Sequence, residues 1–449
     1  MRRPRVLIGA LIGALAGPAL AAQGAPAGPL HLSFAEAVRR AAGTAPSVAL
    51  AGLGLSEADA RVRQSRAALL PSLTVGGDWV NRTYSSKSFG FSFPSVPGQP
   101  PLVPTLIGPF NNYDTRLTAT ETLFDVASVR RMHAAQAEAD GSDAKRDEAV
   151  ETAAQVAALA YLGAVRAEAA LAARRADSSI AGELLGLAEA QMAAGVSAAI
   201  DVTRARTQVV ATAGQVVVAA NAVDRGHIEL ARALGLDPGT ALALTDTLAS
   251  SLGAADVPTD SAAAVARALG NRPDLKTELA RGVAAERQRS ALGAELFPRL
   301  SLEGDYGLNG PTEPAALSTR QLAVTVSIPL LDGWHRESAR AEQDAIAQES
   351  AVRASDLRQQ IAADVDGALL DLRSASVELG IAAERLRLAD EELAEARQRF
   401  SAGVAGNVEV IDAQSALIQA RDADIDARYA AAVARVALAR AVGVARTLH

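Results

Sequence analysis

The chain has 449 residues, of which 3% are aromatic and 21% charged, with a formal net charge of −7 and no cysteine. The acid excess argues against nucleic acid as a partner, and the lack of cysteine excludes disulfides, thiol chemistry and a lipid-acceptor Cys behind a leader. His31, His133, His227, His335 and His449 lack metal-ligand spacing, and neither a phosphate loop nor a serine-nucleophile elbow occurs. The sequence therefore gives no metal site, no cofactor and no catalytic constellation, and is not read as an enzyme.

Met1-Arg2-Arg3-Pro4-Arg5, an apolar run from Val6 to Leu20 and the small residues Ala19-Leu20-Ala21 read as a secretory signal peptide over residues 1–21. The run is short of the roughly 20 residues a membrane span needs. No later segment is that long without charges, so the remainder reads as exported without a transmembrane helix.

Behind the leader the chain is duplicated, with repeats at 22–240 and 261–449 joined by 241–260. Pro46 matches Pro273, and Pro71-Ser72-Leu73 through Trp79 matches Pro298-Arg299-Leu300 through Tyr306. Leu123-Phe124-Asp125 matches Leu330-Leu331-Asp332, and Gly195-Val196 matches Gly403-Val404. The difference in length falls in one loop, 82–112 against 309–319, and the longer version carries Phe89, Phe91 and Phe93 in alternation.

Each repeat reads as helix, strand, loop, strand, long helix, tip and helix. Strands are expected at 72–80, 113–122, 299–308 and 321–329. Eleven of the fifteen aromatics lie between Trp79 and Phe124 or between Phe297 and Trp334. Strands flanked by aromatics in an exported chain suit the interfacial girdles of an outer-membrane β-barrel; an ordinary half-buried sheet is the alternative. Four strands cannot close a barrel, whose smallest membrane forms have about eight, so several chains would have to share one wall.

The long helices carry heptads. Val365, Leu372, Leu379, Leu386, Leu393 and Phe400 form one line, with Ile361, Ala368, Ala375, Ala382, Ala389 and Ala396 four residues before each. This is a coiled-coil seam of large against small side chains. Further seven-residue lines run through Val202, Val209, Val216, Val223 and Leu230, and through Ile411, Ile418 and Ile425. Helices at 126–194 and 333–402 would each reach roughly 100 Å at 1.5 Å per residue. The partner helices at 198–234 and after the second tip are shorter by about the length of the helix before each first strand. Two shorter helices stacked end to end would then line each long one. The hairpin tips fall at 192–201 and 400–412, where Gly195-Val196 and Gly403-Val404 are each followed by an acid and Val at one offset. Gly235 ends a helix by turn chemistry, and 441–444 resembles 233–236.

In this duplicated order the chain resembles the TolC-type outer-membrane efflux protein family. Arg272-Pro273-Asp274 opening the second repeat, Pro-x-Leu leading into the strands and the Gly-Val tips carry the resemblance, which covers the mature chain. The first repeat departs from it with Ala45-Pro46-Ser47. The resemblance implies a mainly α fold, with a long helical coiled-coil barrel and four β-strands per chain joining a trimeric twelve-stranded β-barrel. It implies a Gram-negative outer-membrane location with a periplasmic extension in contact with outer-membrane lipid. It also implies a homotrimeric exit duct that docks a periplasmic adaptor and an inner-membrane pump of the RND or ABC type.

In the family the duct closes at the tips with rings of acids. Carried onto this sequence, the gate falls on Glu409 and Asp412, which share a helix face at a spacing of three, with Asp201 at the matching place in the first tip. Arg204 and Arg206 lie near enough to Asp201 to pair with it. Phe400 would either plug or pack the tip. Acids early in a helix also suit its dipole without any gate. The rival reading is a soluble periplasmic coiled-coil adaptor or structural protein, which would leave the aromatic-flanked strands unexplained.

Overall fold

The computed structural model describes residues 28–90, 103–248, 252–404 and 406–449. The leader at 1–21 and the loop residues Phe91 and Phe93 lie outside the described residues. The first repeat runs β1 (Leu30–Leu32), α1 (Phe34–Thr44), α2 (Pro46–Ala67), β2 (Ser72–Ser85), β3 (Leu106–Phe124), α3 (Val126–Ala193) and α4 (Ala199–Ala233). The second runs β4 (Leu242–Leu244), α5 (Ser261–Asn271), α6 (Pro273–Ala294), β5 (Arg299–Gly310), β6 (Leu317–Ser327), α7 (His335–Ser401) and α8 (Asn407–Val442).

The two long helices have 68 and 67 residues, about 100 Å each at 1.5 Å per residue. Among the described helices only α3 has a stretch apolar enough to cross a membrane. Around that stretch Ala154, Ala157, Ala158, Tyr161, Leu162 and Val165 are buried in the core at the middle of the molecule. Phe34 of α1 meets the Tyr161 ring edge-on, with centroids 5.7 Å apart. The sequence reading missed the short strands β1 and β4, which pair in parallel and close this mid-molecule layer.

The end-to-end stacking of shorter helices is present in both repeats. At the end of α4, Gly235 adopts φ +69, and a methyl group on it would lie 3.1 Å from Pro46 Cδ at the start of α2. At the end of α8, Gly443 adopts φ +74, and a methyl group there would lie 3.2 Å from the Arg272 backbone at the start of α6. Only a residue without Cβ fits the left-handed turn and the close approach together. Helix α3 packs against α2, α4, α6 and α8, and α7 against α6 and α8. The helices therefore form one layer, ordered α2/α4, α3, α6/α8, α7.

The seam on α7 is as its heptads predict. Val365, Leu393, Phe400, Ile361 and the five alanines from Ala368 to Ala396 are buried, and Leu372, Leu379 and Leu386 pack partly buried against the same clusters. On α8 the period holds but the phase shifts by one residue. Ile411, Ile418 and Ile425 are half-buried, while the buried lines run through Val410, Leu417, Asp424, Ala431 and Leu438 and through Ala413, Ala420, Ala427, Ala434 and Ala441.

The four long strands form one antiparallel sheet in the order β2-β3-β5-β6. The strands outrun their predicted ends in the first repeat: β2 continues to Ser85 and β3 begins at Leu106. Polar residues disguised these extensions, since Asn81 and Asn111 hydrogen-bond across the pair at 2.7 Å. In the second repeat β6 spans 317–327 rather than 321–329. Helix α7 begins only at His335, because Gly333 and Trp334 both take left-handed φ of 67. Asp332 then holds the start of α7, accepting from Arg336 N at 3.1 Å and from its Nε at 2.6 Å.

Side chains alternate across the sheet. Leu73, Val75, Trp79, Leu117, Tyr306, Leu308, Leu322, Val324 and Val326 share one face by register and are all exposed. The opposite face carries Thr74, Asp78, Asp114, Arg116, Thr118, Glu303, Asp305, Gln321 and Thr325. Apolar outside and polar inside with period two is the pattern of a membrane barrel wall.

Candidate functional site

Both helical tips are built by one device. At the end of α3, Gly195 N bonds Met192 O and Val196 N bonds Gln191 O, each at 3.0 Å. At the end of α7, Gly403 N bonds Phe400 O and Val404 N bonds Arg399 O, again at 3.0 Å. These are Schellman motifs, with Gly195 at φ +76 and Gly403 at φ +70. The apolar residue that follows each glycine stands largely in the open: Val196 is 72% and Val404 73% exposed. Met192, Ile200 and Val408 add exposed apolar surface beside them.

The predicted gate residues divide. Asp201 accepts from Ser197 Oγ at 3.1 Å and pairs with Arg204 at 3.6 Å. Arg206 does not reach Asp201; it pairs with Glu189 on α3 at 3.2 Å, because two residues along a helix turn it to another face. Glu409 pairs with Arg399 at 3.0 Å, across the same hairpin. Asp412 is exposed and enters no ion pair among the described residues. Phe400 is a packing residue, 3% exposed and clustered with Leu184, Leu393, Val410 and Leu417.

The sequence reading passed over three residues here, two that join the tips to each other and one that braces the second tip. Asn407, 1% exposed, donates Nδ2 to the Asp201 carbonyl at 2.8 Å. Gln191 donates Nε2 to the Phe400 carbonyl at 2.8 Å, and Arg399 neutralises Glu409. The duplication held a usable signal, since Gln191 and Arg399 stand four residues before their tip glycines in the two copies. Further up, Asp177 of α3 is 1% exposed and pairs with Arg421 of α8 at 2.7 Å and with Arg174 at 3.1 Å. Its backbone carbonyl accepts from Gln414 of α8 at 3.3 Å. The two hairpins are thus fastened side by side over a long stretch.

The outer membrane efflux protein family model matches residues 37–236 and 264–444, one stretch per repeat. The chain belongs to the outer membrane efflux protein family. No curated protein matches it in sequence. Its fold is similar to that of the Campylobacter jejuni CmeC outer membrane channel, at 15% identity and a TM-score of 0.76, covering 92% of this chain and 86% of that one. It is also similar to the Vibrio cholerae outer membrane protein VceC, at 19% identity and a TM-score of 0.74, covering 91% and 96%. The open state of the Neisseria gonorrhoeae MtrE outer membrane channel matches at 18% identity and a TM-score of 0.72, covering 91% and 88%. An outer membrane efflux protein is a channel of the Gram-negative outer membrane with a long periplasmic helical extension, and serves as the exit duct of a tripartite efflux system.

Proposed function

We propose that this efflux protein works as a homotrimeric ring, gated at its tips, that docks a periplasmic adaptor and through it an inner-membrane pump of the RND or ABC type. The observation that carries the ring is that sheet and helix layer end on the same two sides. Strands β2 and β6 are the open edges of the sheet, and α2/α4 and α7, which flank them in sequence, are the open edges of the layer. Both helical edges expose apolar heptad positions, Val210, Val217 and Ile228 on α4 and Leu370, Val377, Ile381 and Leu388 on α7. Two unlike edges on one chain favour a head-to-tail ring, and three copies of four antiparallel strands alternate without a break at the joins. The exposed Val196 and Val404 supply the apolar contact an adaptor would grip, and Asp412 is the acid left free for a ring of like charges.

The cysteine-free chain makes the test clean. Val217→Cys on α4 and Ile381→Cys on α7, at similar heights above their tips, should be joined between chains by a bismaleimide into covalent dimers and trimers and nothing larger. A ladder running past three, or no cross-link in outer-membrane fractions, would sink the ring.

A further inference from the structure

On the polar face of the sheet, Arg116 occupies a built setting. Its register neighbours are Gly76 on β2 and Gly307 on β5. A methyl group on Gly307 would lie 2.4 Å from Arg116 Cβ and 2.5 Å from the Thr115 carbonyl oxygen. The side chain therefore lies in a trough floored by glycine, and three bonds hold its guanidinium along the wall. Nε donates to Asp114 Oδ1 at 2.8 Å, Nη2 to Asp114 Oδ2 at 2.5 Å and Nη1 to Asp305 Oδ1 at 2.8 Å. Asn309 Nδ2 donates to Asp114 Oδ2 at 2.9 Å and fixes that carboxylate in turn. Even in the single chain the Asp305 side chain is only 11% exposed.

The surroundings are acidic. Asp78 stands directly opposite Asp114 in the β2–β3 register, and no partner to it is seen among the described residues. Over the middle of the strands this face holds one cation among four carboxylates, Asp78, Asp114, Glu303 and Asp305. The other cations on the face, Arg82 and Arg299, stand near the two ends of the strands.

We propose that Arg116, pinned to the wall by Asp114 and Asp305, sets the ionic preference of the barrel lumen. The inference rests on the trimeric duct proposed above, which turns this face inward and sets three copies of Arg116 at one height. Pinned, each guanidinium leaves the bore open and its charge is matched by two carboxylates, so that the Asp78 and Glu303 carboxylates of the three chains dominate what a passing ion meets. Unpinned, three arginines would reach into the water and oppose cations. The barrel is then a second selectivity element, a rod's length from the tips, that favours cationic solutes.

The test is the reversal potential of full-length trimers in planar bilayers across a KCl gradient at about 0.1 M salt or less, where charges act over about 10 Å or more. Arg116→Gln should raise the K⁺-to-Cl⁻ permeability ratio severalfold, and Arg116→Lys should hold it near the wild-type value. The Asp114→Asn, Asp305→Asn double variant should lower the ratio below wild type and reduce conductance. An effect of Asp412→Asn at the tip should add to these shifts. Trimers on an unheated gel report assembly; if the double variant does not assemble, Arg116→Gln alone decides. Normal conductance with an unchanged ratio in Arg116→Gln overturns the proposal. A wild-type chain that yields neither trimers nor conductance overturns the duct reading and this inference with it.

Discussion

The side-chain amide of Asn407, in the first turn of α8, donates to the backbone carbonyl of Asp201, in the first turn of α4, at 2.8 Å. One tip thereby holds the other through a buried amide, and the Asn407 Oδ1 atom has no partner among the described residues. An interaction made by a group 1% exposed costs about 1–3 kcal/mol when one partner is removed and the other stays buried. Asn407→Ala should loosen the paired tips while leaving the four-stranded sheet intact. Faster amide hydrogen exchange confined to about 195–205 and 403–412, with more frequent openings in single-channel records, is the expected outcome.

The four tight helix ends differ in what surrounds them, and their substitutions should separate accordingly. Gly403 (φ +70) and Gly443 (φ +74) share a left-handed backbone, but among the described residues a Cβ meets nothing within 4 Å at Gly403 and the Arg272 backbone at 3.2 Å at Gly443. Gly403→Ala should cost about 1 kcal/mol of backbone strain alone. Gly443→Ala adds a clash where α8 meets α6 and should cost clearly more. Thermal melting of the detergent-solubilised protein should rank Gly443→Ala well below Gly403→Ala.

Much of this was legible. Four glycines each followed by Val or Leu marked the helix ends, and the α7 heptads gave the seam because its residues are large and apolar. The seam of α8 was misread by one residue because Ile411, Ile418 and Ile425 are conspicuous, whereas the buried face contains Asn407, Gln414, Asp424 and many alanines. Small side chains bury well against a neighbouring helix without standing out as apolar. The bonds from Asn407 and Gln191 depend on how the two repeats register side by side, which no local pattern encodes.

The junction at Arg272 gives a pH dependence with a definite sign. Burial alone would raise the Asp274 carboxyl, but hydrogen bonds from the Arg272 guanidinium and from Leu275 N hold it below the usual range. A depressed folded value stabilises the fold above the ordinary carboxyl pKa and is lost as the pH falls through the folded value. Glu151 behaves oppositely. Burial raises its carboxyl, although Ala445 N at 2.6 Å and Arg446 favour the charged form, so its contribution is lost as the pH rises through the folded value. Melting temperature against pH should therefore fall on the acid side less steeply in Asp274→Asn than in wild type. That variant should also lose about 1.5–3 kcal/mol near neutrality, because Arg272 stays buried and keeps Asp364 as a carboxylate partner.

Phe400 separates packing from plugging. Its ring is 3% exposed among Leu184, Leu393, Val410 and Leu417, so removing it leaves a cavity. Phe400→Ala should destabilise the second hairpin by about 3–5 kcal/mol and make it sensitive to protease between 395 and 415. Phe400→Leu should largely restore resistance. A plug would give the reverse: wider conductance in both variants and an unchanged hairpin.

At the proposed gate, Arg399 changes what the acids can do. Glu409 lies 3.0 Å from Arg399, and exposed pairs of this kind are worth about 0–1 kcal/mol, so either partner can be removed without unfolding the tip. In a trimer, Asp412→Asn would remove three carboxylates that no arginine offsets, and Arg399→Gln would release three that one does. The first should lower cation preference and the second raise it, and both effects should fade at high salt as the charges are screened. Bilayer recordings of the two single variants and their double, at low and at 1 M KCl, test this directly. Shifts of the same sign would mean that Glu409 and Asp412 do not face one pore.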